Sequence, residues 1–211
     1  LFQQAKQASR SGASMTDEAR NAVLLAVAEE IRTQSASLLQ ANRKDLAAMH
    51  KSNPLYDRLM LTDERLCVIS HDMENVTRLP SPLGRVSHER TLDNGLRLHR
   101  VSVPFGVIGV VYEARPNVTF DVFALCFKSG NVCVLKGGRD AEASNQVAVD
   151  LIHGVLRRMG VNEQAVVLLP ATHEATAEML NAVGYIDLCI PGGGRKLIDF
   201  VRDTARIPVI E

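Results

Sequence analysis

The chain has no excess charge of either sign. In 211 residues it carries 24 Lys and Arg against 24 Asp and Glu, for a formal net charge of zero. Nucleic-acid and anionic-membrane partners usually demand a basic surface, so neither is expected. No apolar run approaches the ~20 residues needed to span a bilayer. Leu1 to Arg20 is polar and mixed in charge, without a signal-peptide pattern. An initiator Met is absent, which leads us to expect that the chain begins after a native start. There is no internal repeat and no low-complexity segment. The four cysteines (Cys67, Cys126, Cys133 and Cys189) form no C-x-x-C pair and have no His cluster beside them, which argues against zinc. Each lies in an apolar stretch and reads as a buried free thiol in a reducing, cytoplasmic compartment. The six histidines are scattered, and none joins a carboxylate and a Ser or Cys in a triad order. The G-x-G-x-x-G fingerprint is also missing: Gly192 and Gly194 have its first spacing, but Leu197 stands where the third glycine belongs.

What remains is an ordinary globular composition, 46% apolar and 23% charged, long enough for one large domain or two small ones. The first eighty residues read as helices. Val23, Leu24, Val27, Ala28 and Ile31 share one face. Leu38, Leu39, Leu46 and Met49 mark a second helix, with Ser35 or Ser37 as its cap. Leu66, Ile69, Met73 and Val76 mark a third that begins near Thr62. Pro80 and Pro82 close the region. From Arg85 to Val103 the period changes to two around Asp93-Asn94-Gly95, a strong hairpin signal. This hairpin is too polar for a core.

Beyond it, strands alternate with helices. The strands are expected at Val107–Glu113, Asn131–Lys136, Ala165–Pro170, Ile186–Pro191 and Ile207–Ile210. The intervening helices are signalled by Val147 to Met159 with Gly160 as stop, by Met179, Leu180 and Val183, and by Leu197, Ile198, Val201 and Ala205. Strands joined by helical crossovers imply a parallel sheet. In such sheets ligands bind beyond the carboxyl ends of the strands. Two turns stand out there. Glu113-Ala114-Arg115-Pro116-Asn117 follows the first strand, and Lys136-Gly137-Gly138-Arg139 follows the second, so the two should lie side by side and form an anion-binding cleft. Lys136 can reach ribose hydroxyls or a phosphate. Gly137 and Gly138 leave backbone N–H groups bare, and Arg139 offers a planar fork. Each has a plainer reading as a solvated turn. Asn117 reads as a helix cap, Glu113 and Arg115 as a surface ion pair, and Gly192-Gly193-Gly194 as a tight strand–helix turn.

These strings carry a resemblance. Val103-Pro104-Phe105-Gly106-Val107-Ile108-Gly109 and Tyr112-Glu113-Ala114-Arg115-Pro116-Asn117-Val118-Thr119 resemble gamma-glutamyl phosphate reductases. Leu135 to Arg139, Ile190 to Gly194 and Ile207 to Glu211 fit in the same order. The family lies in the aldehyde dehydrogenase superfamily. The resemblance implies a Rossmann-like α/β fold with a parallel sheet of about five strands and helices on both faces. Residues 1–82 would form the N-terminal helical region of the cofactor domain, 83–104 an oligomerisation hairpin, and 105–211 the NADP-binding core. It implies NADPH-dependent reduction of L-glutamate 5-phosphate in proline biosynthesis. Asn117 would serve an oxyanion. Lys136, Gly137, Gly138, Arg139, Pro191, Gly192 and Gly193 would hold the cofactor, with Arg115 and Glu113 at the substrate. It also implies a homo-oligomer, with glutamate 5-kinase as a partner to consider. The family's nucleophilic cysteine has no counterpart here, so the chain is expected to be the front part of the enzyme and inactive alone. An acylating aldehyde dehydrogenase using coenzyme A thioesters, and a non-catalytic nucleotide-binding or oligomerisation module, remain as alternatives.

Overall fold

Thr16 and Thr62 open two helices in the same way. Each hydroxyl accepts the backbone N–H three residues on, from Ala19 and Arg65, at 3.2 Å. Loss of such a cap costs about 1 kcal/mol. The computed structural model describes all residues, Leu1–Glu211. Five helices come first: α1 (Phe2–Gly12), α2 (Asp17–Thr33), α3 (Ser35–Ala48), the short α4 (Tyr56–Leu59) and α5 (Asp63–Arg78). The cap expected at Ser35 or Ser37 is not formed. Both serines lie inside α3, because the chain passes from α2 into α3 through Gln34, whose carbonyl accepts from Ser37 and Leu38. Helix α1 was not signalled by any long apolar stripe. It buries only Ala5, Ala8 and Ser9.

A hairpin follows, β1 (Val86–Thr91) and β2 (Arg97–Val101), antiparallel and exposed at every residue. Gly95 closes its turn at φ 83°, a conformation that costs glycine little.

The remaining elements are β3 (Val107–Tyr112), α6 (Asn117–Lys128), β4 (Val132–Lys136), α7 (Glu142–Arg158), β5 (Val166–Leu168), α8 (His173–Leu180), β6 (Leu188–Gly192) and α9 (Arg195–Thr204). The sheet is wholly parallel, in the order β5-β4-β3-β6. Its strands read as continuous apolar runs because both faces are covered. The two-residue period still divides them. Ile108, Val110, Tyr112, Cys133 and Leu135 join the core beneath α2, α3, α5, α6 and α7. Val107, Val111, Val132, Val134 and Cys189 join a second core beneath α1, α8 and α9. Phe120, Phe123, Leu135 and Ile152 are fully buried, and each such side chain is worth about 1.5–3 kcal/mol of burial.

Three expectations need correction. The segment Ile207–Ile210 does not extend the sheet as a full strand. It makes one parallel bridge, Cys189 with Val209, through Cys189 N–H to Pro208 C=O and Ile210 N–H to Cys189 C=O. The next outward donor on β6 would be that of Pro191, which has no N–H, so the ladder stops. Val183 is not a core residue. Helix α8 ends at Leu180, and Val183 is 59% exposed in the turn that follows. Cys67 is exposed, unlike the other three cysteines. On α5 the inward face is Leu66, Ile69, Ser70 and Met73, and Cys67 turns away from it. No helix is long and apolar enough to cross a membrane.

Candidate functional site

The carboxyl ends of the four strands form one edge of the sheet, and the expected turns meet there. Register pairs Val111 with Lys136 on one side of β3 and Tyr112 with Gly192 on the other. The Glu113–Asn117 turn therefore lies between the Lys136–Arg139 and Gly192–Gly194 turns. A cleft of about 590 Å³ opens along it, lined among others by Arg58, Glu113, Arg115, Ile190, Gly192 and Gly193. An adjoining cleft of about 300 Å³ shares Arg58 and Arg115 and adds Asp57, Arg65 and Asn117. A third, of about 240 Å³, lies over the other half of the edge. Gly137, Gly138, Glu142, Asn145 and Leu168 to Ala171 line it. Pro191 is buried in β6. The structure thus brings Glu113, Arg115, Gly192 and Gly193 together, with Asn117 next door. Gly137 and Gly138 stand at a separate cleft of the same edge.

Asn117 is the first residue of α6, not its cap. Its Nδ2 donates to Asp121 Oδ2 at 3.1 Å, one turn on. Burial pushes the Asp121 carboxyl up, and the Asn117 hydrogen bond opposes the shift. The second N–H of Asn117 has no partner in the fold.

Glu113 and Arg115 do not pair with each other. Glu113 Oε2 accepts the N–H of Gly194 at 2.9 Å, at the start of α9, where a negative charge suits the helix dipole. Arg115 is exposed and meets no acceptor. Lys136 is half-buried and also unpaired. Burial and the neighbouring Arg139 both lower its pKa. A desolvated cation without an acceptor is a good fit for an anionic or hydroxyl-bearing ligand. Arg139 opens a 3-10 turn and is exposed.

Two of the glycines have a reason to be bare that lies within the protein. A Cβ on Gly137 would stand 2.3 Å from Asn145 Nδ2, and one on Gly193 would stand 2.8 Å from Leu197 Cδ2 and 2.9 Å from the Glu113 carboxylate. Asn145 belongs to a buried chain of hydrogen bonds: Thr119 Oγ1 donates to its Oδ1 at 2.9 Å and meets the Tyr112 hydroxyl at 2.7 Å. That chain locks β3, α6 and α7 behind the cleft. Gly138 is open, with nothing nearer than 3.5 Å to such a Cβ.

Sequence reasoning missed the contribution of α3 and α4. Asn42 donates to Leu59 C=O at 2.8 Å and accepts from Leu61 N–H at 2.8 Å. Asp45 accepts from Ala143 N–H, Ser144 N–H and the Ser144 hydroxyl at 3.1, 2.8 and 2.6 Å, which caps α7. No periodicity marks such residues; a polar side chain on an otherwise buried helix face was the only available signal.

None of the thiols sits at this edge. Burial pushes Cys189 up to about 12 and Cys133 well above its ordinary value, so neither offers a thiolate.

No protein-family model matches the chain. Among curated proteins, the gamma-glutamyl phosphate reductase of Bacteroides thetaiotaomicron is 56% identical over 210 residues, covering 100% of this chain and 50% of that protein. The chain is homologous, end to end, to gamma-glutamyl phosphate reductases. It spans about half the length of the curated relatives it matches. The crystal structure of the Thermotoga maritima gamma-glutamyl phosphate reductase superposes with a TM-score of 0.95 at 35% identity, covering 100% of this chain and 52% of that one. A probable aldehyde dehydrogenase from Listeria monocytogenes, at 15% identity and a TM-score of 0.78 over 99% of this chain and 44% of that one, shares the fold. The α/β architecture of the reductases is therefore common to aldehyde dehydrogenase-like folds.

Proposed function

We propose that the protein to which this chain belongs reduces L-glutamate 5-phosphate to L-glutamate 5-semialdehyde. The acyl phosphate, NADPH and a proton would give the aldehyde, NADP and inorganic phosphate. One observation carries the reading: 56% identity to such reductases along the whole chain, with the Tyr112–Thr119 string forming the turn at the centre of the carboxyl edge.

The residues fit a nicotinamide dinucleotide. Gly138 at one cleft and Gly192 and Gly193 at the other, with Lys136, Arg139 and Pro191 beside them in the chain, would hold it; Gly137 contributes by admitting Asn145. The bound cofactor would supply the hydride. Arg139 would select NADPH through the 2′-phosphate, because a planar guanidinium matches that group. The free N–H of Asn117 supports an oxyanion role, and preorganised donors of this kind are often the largest catalytic contribution. Glu113, already bonded to Gly194, acts at the substrate by shaping the wall of the cleft, and Arg115 supplies charge. The nucleophilic thiolate would come from outside this chain. Residues 1–104 and 105–211 act together in this reading, and the wholly exposed hairpin supports an arm that pairs with another subunit. The free thiols support a reducing, cytoplasmic setting. A partnership with glutamate 5-kinase is carried by the resemblance alone.

The test runs the reaction backwards with the complete protein. L-glutamate 5-semialdehyde and NADP should yield NADPH only when inorganic phosphate is present. NADPH formation that needs coenzyme A instead would identify an acylating aldehyde dehydrogenase. No turnover under either condition would leave a binding or assembly module.

A further inference from the structure

Arg58 lies in α4, more than fifty residues from the Glu113–Asn117 turn, yet it lines both clefts that Arg115 lines. The cause is a small apolar contact. Leu59 is fully buried against Ala114 and Ala141. Arg58 and Arg115 are the residues next to Leu59 and Ala114, so the contact sets the two guanidinium groups at one cleft.

The backbone around Arg58 is tied down on every side. Asn42 takes Leu59 C=O and Leu61 N–H. Arg65 donates to Asp57 C=O and, at 2.7 Å, to Met60 C=O. The nearby acids are already engaged: Asp57 pairs with Arg65 at 2.8 Å, and Glu113 accepts from Gly194. Arg58 and Arg115 themselves have no acceptor anywhere in the fold. The cleft therefore presents two exposed guanidinium groups without ion-pair partners, beside Asn117, with Arg58 carried on a firmly held backbone.

We propose that Arg58 and Arg115 form a clamp for the phosphoryl group of the acyl-phosphate substrate, with Arg58 the residue that specifies phosphate as the leaving group. This rests on the reading under Proposed function. The charge argues for phosphate over the α-carboxylate: two guanidinium groups match a dianion, whereas a monoanionic carboxylate flanked by an ammonium needs only one. Proximity argues the same way. The phosphoryl group is joined through a single bridging oxygen to the carbonyl carbon whose own oxygen Asn117 would serve, and the α-carboxylate lies at the far end of the substrate. The clamp would stabilise the charge that gathers on phosphate as its bond to the acyl carbon breaks.

The experiment uses the complete protein and the variants Arg58→Gln and Arg58→Lys, each checked for an unchanged melting temperature. In the reverse reaction, Arg58→Gln should raise the KM for inorganic phosphate at least about tenfold and leave the KM for the semialdehyde and for NADP within about twofold. Arg58→Lys should recover part of the loss, because charge is kept and the planar fork is not. Binding of inorganic phosphate alone, by calorimetry, should weaken in the same order. This arm reads the clamp even where wild-type protein shows no phosphate-dependent turnover, so the two readings fail separately. A rise in the semialdehyde KM with phosphate unaffected would move Arg58 to the α-carboxylate and overturn the clamp. Unchanged KM values and unchanged phosphate binding would make Arg58 a solvated surface cation and overturn it as well.

Discussion

The two edges of the parallel sheet treat charge in opposite ways. At the amino edge every buried or half-buried ion is spent on the fold. Lys6 holds Asp187 at 2.6 Å, Asp187 also accepts Val107 N–H at 2.8 Å, and Lys128 holds Asp17 at 2.8 Å. Arg20, almost fully buried, donates to Gly12 C=O at 3.0 Å, at the end of α1. The cavity there, of about 300 Å³, is lined by the ends of α1, α6 and α7. Helix C-termini carry partial negative charge, and Arg20 offsets it. At the carboxyl edge Arg58, Arg115, Lys136 and Arg139 meet no acid, and Lys136 is desolvated besides. A cavity by itself does not distinguish the two edges. The distinction lies in which charges the fold has left without partners.

The comparison can be broken by substitutions at either edge. The largest effect is expected at Asn117. In the complete protein, Asn117→Ala should lower kcat by about 10²–10³-fold with little change in the NADPH KM. A fall in melting temperature with kcat per folded molecule intact would reduce Asn117 to its bond with Asp121. At the amino edge, Asp187→Ala strips Lys6 and the Val107 N–H of their shared acceptor. Unfolding stability should fall by about 2 kcal/mol, read by denaturant titration, while KM and kcat of the folded enzyme stay as they were. A kinetic effect as large as the stability effect would mean the edges are not separable in this way. The smallest change is expected from Arg139→Ala. The KM for NADPH should rise about tenfold and that for NADH should hardly move, since only the 2′-phosphate contact is lost. Equal losses with both cofactors would remove Arg139 from the discrimination and leave Lys136 as the cation that matters.

Much of this was legible in the residues. Period-3.6 patterns located α2, α3, α5 and α7, and continuous apolar runs located the four strands of the parallel sheet, because a helix buries one face while these strands are covered on both. The start of α5 near Thr62 was readable, and Asp93-Asn94-Gly95 was readable as a turn, since both depend on local chemistry alone. The Tyr112–Thr119 string and the Lys136–Arg139 turn marked the carboxyl edge, because short loops at strand ends keep their residues close in space. What failed did so for a reason that lies across the fold. The strand expected at Ile207–Ile210 is cut to one bridge by Pro191, on another segment. Gly137 is bare for Asn145 and Gly193 for Leu197 and Glu113, contacts that the packing of helices on the strand ends creates. Cys67 was read by its apolar surroundings when its place on the α5 face decided its exposure.

The sequence by itself determined the alternation of strands and helices, the cations at the strand ends and the kinship with the reductases. Each of these follows from local spacing or from strings of adjacent residues. Only the tertiary structure decided that Arg58 stands beside Arg115 and that Asn42 and Asp45 hold the wall behind them. Those facts depend on the packing of Leu59 against Ala114 and on the hydrogen bonds of Asn42 and Asp45, contacts between segments far apart in the chain.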